Sequence, residues 1–370
     1  MSSITYFRLK ESLLCSLFCL VSILVSGQEE LHWSDPIEQH ALSGRIPQVQ
    51  KADGYLRLPS SMEDEVRDAV WRLAKDDAGV YVDFTTTADS IEVAYTVSKN
   101  LSMPHMPATG VSGLDLYARS ADTDQWGWIH GKYDFSDTVR YSFKGFQGDS
   151  LRQYRLYLPL YNAVTWLEIG VAKENDLHFN KSTSRPIVVY GTSIAQGACA
   201  SRPGLAWTNR LGRVMDHEVI NLGFSGNGRL EPELLHLIRD VDASVFILDC
   251  IPNLSAQGEG GEEKLARLIE DAVAIIREKH VDVPIVFAAH SASQVDGVLN
   301  FTTTAEYDLR SEVAERTVKK LVKEGDSRLF WLSTDALDMD KESTVDYAHP
   351  NDYGMGKIAD AYHRLLSEIL

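Results

Sequence analysis

After Pro186 the chain alternates short apolar runs with longer amphipathic ones, and no other feature restricts its fold so strongly. Strand candidates fall at 187–190, 218–221, 244–249, 284–289 and 328–332. Helical patterns lie between them. Residues 262–279 place Leu265, Leu268, Ile269, Ala272, Val273 and Ile276 on one face. Residues 307–323 do the same with Leu309, Val313, Ala314, Val318, Leu321 and Val322, and 355–369 close the chain. Strands alternating with helices predict a parallel sheet covered on both sides. Such sheets hold their sites at the carboxyl ends of the strands.

The first half reads differently. Segments at 80–86, 90–97, 113–118, 154–160 and 163–169 alternate at strand period, with turn signals between them and no convincing helical stretch. This pattern predicts an all-β sandwich. Trp126, Trp128, Tyr154, Tyr157, Tyr161 and Trp166 gather here. Aromatics on a sandwich can stack on sugar rings, although packing in a core or between domains is their commoner use. Residues 171–185 are polar and read as a linker. A chain of 370 residues has room for about two domains. The expected division is a sandwich over 28–180 and an α/β domain over 181–370.

Residues 1–27 stand apart from both. Arg8 and Lys10 precede the apolar run 13–25, and small residues follow at Ser26 and Gly27. This is the pattern of a secretory signal peptide. The run falls short of the roughly 20 residues that span a bilayer, so the mature protein is expected to be exported, to the periplasm or beyond, without stable membrane insertion. Cleavage removes two positive charges and one negative, taking the formal net charge from −17 to −18. Such acidity argues against nucleic acid or an anionic membrane as partner.

Polar or glycine-rich loops follow four of the expected strands. The sequence GTS (191–193) follows the first, and NLGFSGNG (221–228) the second. The third runs into LDCIPN, ending at Asn253, and VDYAHPNDYG precedes the final helix with Asp346 three residues before His349. Thr192 or Ser193 would serve as a simple helix cap, but four such loops at one rim make a site. A serine hydroxyl needs a base to accept its proton, usually histidine, and the histidine needs a carboxylate to fix its tautomer. Ser193, His349 and Asp346 supply these parts. The developing oxyanion needs oriented donors. Ser193 N–H, a glycine N–H of the second loop and the Asn253 amide supply three.

Other pairs of this kind have plainer readings. Asp360 with His363, and Glu233 with His236, are i,i+3 pairs on expected helices, hence surface contacts. Asp335, Asp338 and Asp340 lack the glycine and closing glutamate of a calcium loop.

Taken together, the four blocks resemble the SGNH (also called GDSL) hydrolases. Ser193 in GTSI matches the nucleophile block, with Thr192 where many members carry Asp. Gly226 in GFSGNG matches the oxyanion glycine, and Asn253 in DCIPN the asparagine. Asp346 and His349 in DYAHP match the block that completes the triad. The sequence GLDLY (113–117) also resembles the signature of a β-rich domain that precedes some bacterial members. The resemblance implies a doubly wound, flavodoxin-like sheet behind a jelly-roll-like sandwich. It also implies a serine esterase that works through an acyl-enzyme without metal or other cofactor.

Export, an aromatic-bearing β domain and the lack of a lid-like apolar segment favour an O-acetylated saccharide as substrate. The alternatives are a lipid, aryl-ester or thioester hydrolase, or a carbohydrate-binding protein on a hydrolase fold. Of the four cysteines, Cys199 and Cys250 survive processing. If the family topology holds, they lie on neighbouring segments, and two readings stay open. One is a disulfide tying the Ser193 loop to the Asn253 loop; the other is a pair of buried thiols.

Overall fold

The computed structural model describes residues 30–120, 122–146, 151–291 and 301–370. The expected signal peptide lies outside the described residues. No helix among them is long and apolar enough to cross a membrane.

Among the described residues, eleven antiparallel strands build the first half: β1 (Leu31–Ser34), β2 (Leu42–Ser43), β3 (Tyr81–Thr86), β4 (Ser90–Val97), β5 (Asp115–Arg119), β6 (Trp126–Ile129), β7 (Lys132–Asp134), β8 (Val139–Lys144), β9 (Arg152–Tyr157), β10 (Val164–Ala172) and β11 (Leu177–Asn180). They form two sheets, ordered β1-β10-β4-β8-β7 and β11-β3-β9-β5-β6, with β2 on the flank of β3. Alternate residues point inward. Ile91, Val93 and Tyr95 of β4 and Leu167, Ile169 and Val171 of β10 meet Val82 and Phe84 of β3 and Tyr154 and Leu156 of β9. This is the two-layer core that period-2 patterning requires.

Two expectations for this half are corrected. Residues 171–180 are not a linker, because β10 continues to Ala172 and β11 pairs with β3, Phe179 opposite Phe84. Leu177 and Phe179 pack against the sandwich core, and their alternation was hidden among Lys, Asn and Ser. A helix, Asp68–Ala74, also interrupts the β-rich stretch. At seven residues it is too short to display a period, and it is held by burying Val70, Trp71 and Ala74.

The second half is a five-stranded parallel sheet of β12 (Ile187–Gly191), β13 (Val219–Gly223), β14 (Val245–Asp249), β15 (Ile285–Ala288) and β16 (Leu329–Leu332), ordered β13-β12-β14-β15-β16. This is the flavodoxin-like order, whose switch point lies between the first and third strands. Helices Pro232–Arg239, Gly261–Arg277 and Phe301–Lys323 cover one face, and Trp207–Met215 and Asp352–Ile369 the other. The helix Trp207–Met215 is additional to those read from sequence, and Pro232–Arg239 was signalled only by its Glu233 and His236 pair. In Trp207–Met215, buried Thr208 and Asn209 blur the apolar stripe.

The two halves share cores. Ile46, Leu58, Val70 and Trp71 pack with Ile220, Leu222 and Leu234 on one face of the parallel sheet. Met106, Leu160 and Tyr161 pack with Ile194 and Trp207 on the other. The GLDLY stretch lies at this junction. Asp115 accepts hydrogen bonds from Gly204 N (2.6 Å) and Arg202 Nη1 (2.8 Å), and the Arg213 guanidinium lies 3.9 Å from the Tyr117 ring centre.

Candidate active site

The strand β12 ends at Gly191, and a four-residue helix, Ser193–Gln196, starts at once. Thr192 is its N-cap, the side chain accepting from Ile194 N at 3.3 Å. The capping role therefore belongs to Thr192 and leaves the Ser193 hydroxyl free for another partner. That partner is His349, whose Nε2 lies 2.8 Å from Ser193 Oγ. His349 Nδ1 lies 2.8 Å from Asp346 Oδ2. The other Asp346 oxygen accepts from the backbone N–H groups of His349 (2.8 Å) and Ala348 (3.2 Å). An ionised carboxylate only accepts, so the ring carries its proton on Nδ1 and offers Nε2 to the serine hydroxyl. Burial pushes the Asp346 carboxyl up, but the hydrogen bonds from the His349 ring and backbone outweigh it and hold the group below its ordinary range. The chain Ser–His–carboxylate can thus move a proton off the serine.

Gly226 follows β13 with φ +68°, a conformation that disfavours other residues. Its N–H and that of Ser193 bond no acceptor among the described residues. Asn253 closes the 3₁₀ turn Ile251–Asn253 after β14 and donates from Nδ2 to Asn227 O at 2.5 Å. The second amide hydrogen remains for another acceptor. Close backbone approach brings the end of β13, which leads to Gly226, against the Ser193 helix, since a Cβ on Gly223 would sit 2.1 Å from Gln196 N.

The structure adds groups that residue patterns had not singled out. Gln196 is fully buried and bonds Ser225 N. Arg310, on the helix Phe301–Lys323, donates to Pro252 O at 2.7 Å and so holds the Asn253 turn. His290 follows β15 and stacks on Tyr307, ring centres 3.8 Å apart; burial, with Arg310 and His349 nearby, pushes its pKa down to about 3. It is neutral at working pH. Asp249, at the end of β14, is pushed up to about 7 by burial.

Cys199 and Cys250 are both free and buried. Cys199 belongs to the apolar cluster on one face of the parallel sheet and Cys250 to that on the other, so the sheet separates them. Burial, with the charge of Asp346, pushes the Cys199 thiol up to about 11, and burial raises the Cys250 thiol well above its ordinary value. Neither is a reactive thiolate. Asp338 and Asp340 both pair with Lys357. Of the aromatics, Tyr154 is in the sandwich core, Tyr157 bonds Asn209 O across the junction, and Trp128 and Trp166 stay 46% and 37% exposed.

Comparison with known proteins places this arrangement. Residues 184–367 match the model of the GDSL-like lipase/acylhydrolase family, and residues 31–177 match the GxDLY model, the N-terminus of SGNH-hydrolase-type esterases. No curated protein matches the chain. A structure from Bacteroides ovatus ATCC 8483, described as a GDSL-like lipase, is 30% identical with a TM-score of 0.82, covering 92% of this chain and 98% of its own. The salicylyl-acyltransferase SsfX3 of a tetracycline biosynthetic pathway is 20% identical, TM-score 0.72, over 91% and 97% of the two chains. A family two carbohydrate esterase from Cellvibrio japonicus shares the fold at 12% identity, TM-score 0.55, over 92% and 98%. With both halves matched in order and a full-length relative at this identity, the chain belongs to the GDSL-like lipase/acylhydrolase family.

Proposed function

We propose that this protein is an exported serine esterase that removes O-acetyl groups from a carbohydrate through an acyl-enzyme. The observation that carries the reading is the unbroken chain Ser193 Oγ–His349–Asp346, with 2.8 Å at each link. His349 takes the proton as Ser193 Oγ attacks the ester carbonyl. The oxyanion is received by Ser193 N–H, Gly226 N–H and the free amide hydrogen of Asn253. The C–O bond to the alcohol breaks, His349 returns the proton to the departing oxygen, and the acyl group stays on Ser193. Water deprotonated by His349 then releases acetate.

Two features of the chain support a saccharide: the leader pattern at its start and the exposed indoles of Trp128 and Trp166 on the sandwich. The fold shared with the Cellvibrio japonicus carbohydrate esterase is compatible with that choice.

Assay of the purified protein on para-nitrophenyl acetate, para-nitrophenyl palmitate and a panel of acetylated glycans tests the reading. The expected result is fast cleavage of the acetate, slow cleavage of the palmitate, and acetate release from at least one glycan. Preference for the palmitate would make it a lipid esterase, and silence on every ester would make it a binding protein.

Asn253→Ala is expected to lower kcat by about 10²- to 10³-fold with little change in KM, because its bond to the oxyanion forms mainly in the transition state. Steady-state kinetics on para-nitrophenyl acetate decide this. A rise in KM at constant kcat would make Asn253 a substrate-binding residue.

A further inference from the structure

Gln196 ends the four-residue helix that begins with Ser193, and its amide is fully buried. A buried amide is costly unless its hydrogen bonds are made, and here they are made to groups from both halves. Oε1 accepts from Ser225 N at 2.9 Å. Nε2 donates to Leu160 O at 3.2 Å and to Asp76 Oδ2 at 3.3 Å, both in the first half of the chain. Asp76 is itself buried, and its other oxygen pairs with Lys99 Nζ.

What Gln196 grips is the residue before Gly226. The peptide unit that carries the Gly226 N–H also carries the Ser225 carbonyl. That carbonyl accepts from Asn227 Nδ2 at 2.8 Å. In a planar trans peptide the C=O and N–H point in opposite directions, so holding one end aims the other. Gln196 fixes the N–H of Ser225 and Asn227 fixes its C=O, leaving the Gly226 N–H little freedom to turn. The path continues, because Asn227 O receives the Asn253 amide. A continuous run of hydrogen bonds therefore leads from Lys99 and Asp76, through Gln196 and Ser225, to Asn227 and Asn253.

We propose that Gln196, backed by Asp76, is a positioning residue for the oxyanion hole, aiming the Gly226 N–H and keeping it in register with Asn253 and Ser193. The proposal rests on the esterase reading above and extends it: the β-rich half takes part in the chemical step through Asp76 and Leu160. Misplacing a catalytic group by an ångström can cost about 10²-fold in rate.

The test compares an ester with its thionoester, in which sulfur replaces the carbonyl oxygen. Sulfur is larger and a poor acceptor, so the thionoester gains little from aimed N–H groups. A role in overall stability alone would lower both rates together. For Gln196→Met the expected result is a fall in kcat on para-nitrophenyl acetate of about 10- to 100-fold, with KM within about twofold. The thionoacetate rate should fall by less than about threefold, so the ester-to-thionoester ratio collapses. If Gln196→Met fails to fold, as judged by its thermal melt, Gln196→Glu takes its place. It keeps an acceptor for Ser225 N but has no donor for Leu160 or Asp76, and the ratio should fall likewise. Adding Asp76→Asn to Gln196→Glu exchanges amide and carboxylate and should restore part of the ratio. A folded Gln196 variant with unchanged kcat, or with both substrates slowed in proportion, overturns the proposal. Wild-type protein and Ser193→Ala run alongside. An active wild type with indifferent Gln196 variants refutes the positioning role alone, whereas an inactive wild type refutes the esterase reading and this extension together.

Discussion

Ser193→Ala and His349→Ala are each expected to lower kcat on an activated acetate ester by about 10³-fold or more, and the double variant should be scarcely worse than either. The reason is that the two act as one unit. Without His349 the hydroxyl keeps its proton, and without Ser193 the imidazole has nothing to activate. Residual turnover would come from the donors around the oxyanion. Asp346 gives the sharper discrimination. Its Oδ1 is held by two backbone N–H groups and its Oδ2 faces His349 Nδ1. In Asp346→Asn the amide oxygen would keep the backbone contacts, which turns Nδ2 toward the ring. A donor there forces the proton onto Nε2 and removes the acceptor that Ser193 needs. Asp346→Asn is therefore expected to be at least as damaging as Asp346→Ala, although it is the more conservative change. Steady-state kinetics on the four single variants check this. Turnover by Ser193→Ala within tenfold of wild type would remove Ser193 as the nucleophile.

The parts of this molecule legible in the sequence are those whose signal is local. The runs at β12 and β14 are apolar because both faces of the parallel sheet are covered, and the strand limits fall within about two residues of the expected ones. Ser193, Gly226, Asn253 and His349 each sit in a short block directly after a strand or before a helix, so their meeting follows from the topology of the sheet. The Thr192 cap and the Ser193 hydroxyl were competing readings of one stretch, and the helix start uses both. Gln196 could not be found in this way. It stands in a run of small residues that reads as a helix end, and its partners Asp76, Leu160 and Ser225 are distant in sequence. The fate of Cys199 and Cys250 was likewise a matter of which sheet face each occupied, and loop spacing does not carry that information.

Arg57→Met is expected to lower the melting temperature by about 4–7 °C, corresponding to a loss of about 3–5 kcal/mol. Arg57 lies in a loop without periodicity, and its side chain is fully buried. The guanidinium donates to four backbone carbonyls: Leu73 (2.6 Å) and Asp76 (2.7 Å) from the first half, and Gly223 (2.8 Å) and Asn221 (3.0 Å) from β13. It also lies 4.9 Å from the centre of the Phe224 ring. Burial pushes its pKa down to about 10, with Asp76 and Asp77 opposing the shift, so it remains charged at neutral pH. Methionine fills much of the volume but donates nothing. The carbonyls of Asp76, Asn221 and Gly223 would then be stranded in the interior, Leu73 O keeping the Asp76 N–H, and Asp76 and Asp77 would lose one of two nearby cations, Lys99 remaining. Arg57→Lys should fall between the two, because an ammonium keeps the charge but cannot reach four acceptors arranged around a planar fork. The two halves also share apolar cores on both faces of the parallel sheet, so each variant should still unfold in a single calorimetric transition at a lower temperature. A melting temperature for Arg57→Met within 2 °C of wild type would show that apolar packing alone joins the sandwich-bearing half to the parallel sheet. The expected loss instead makes Arg57 the polar centre of that junction, bound at one end to the Asp76 backbone behind Gln196 and at the other to the strand that leads to Gly226.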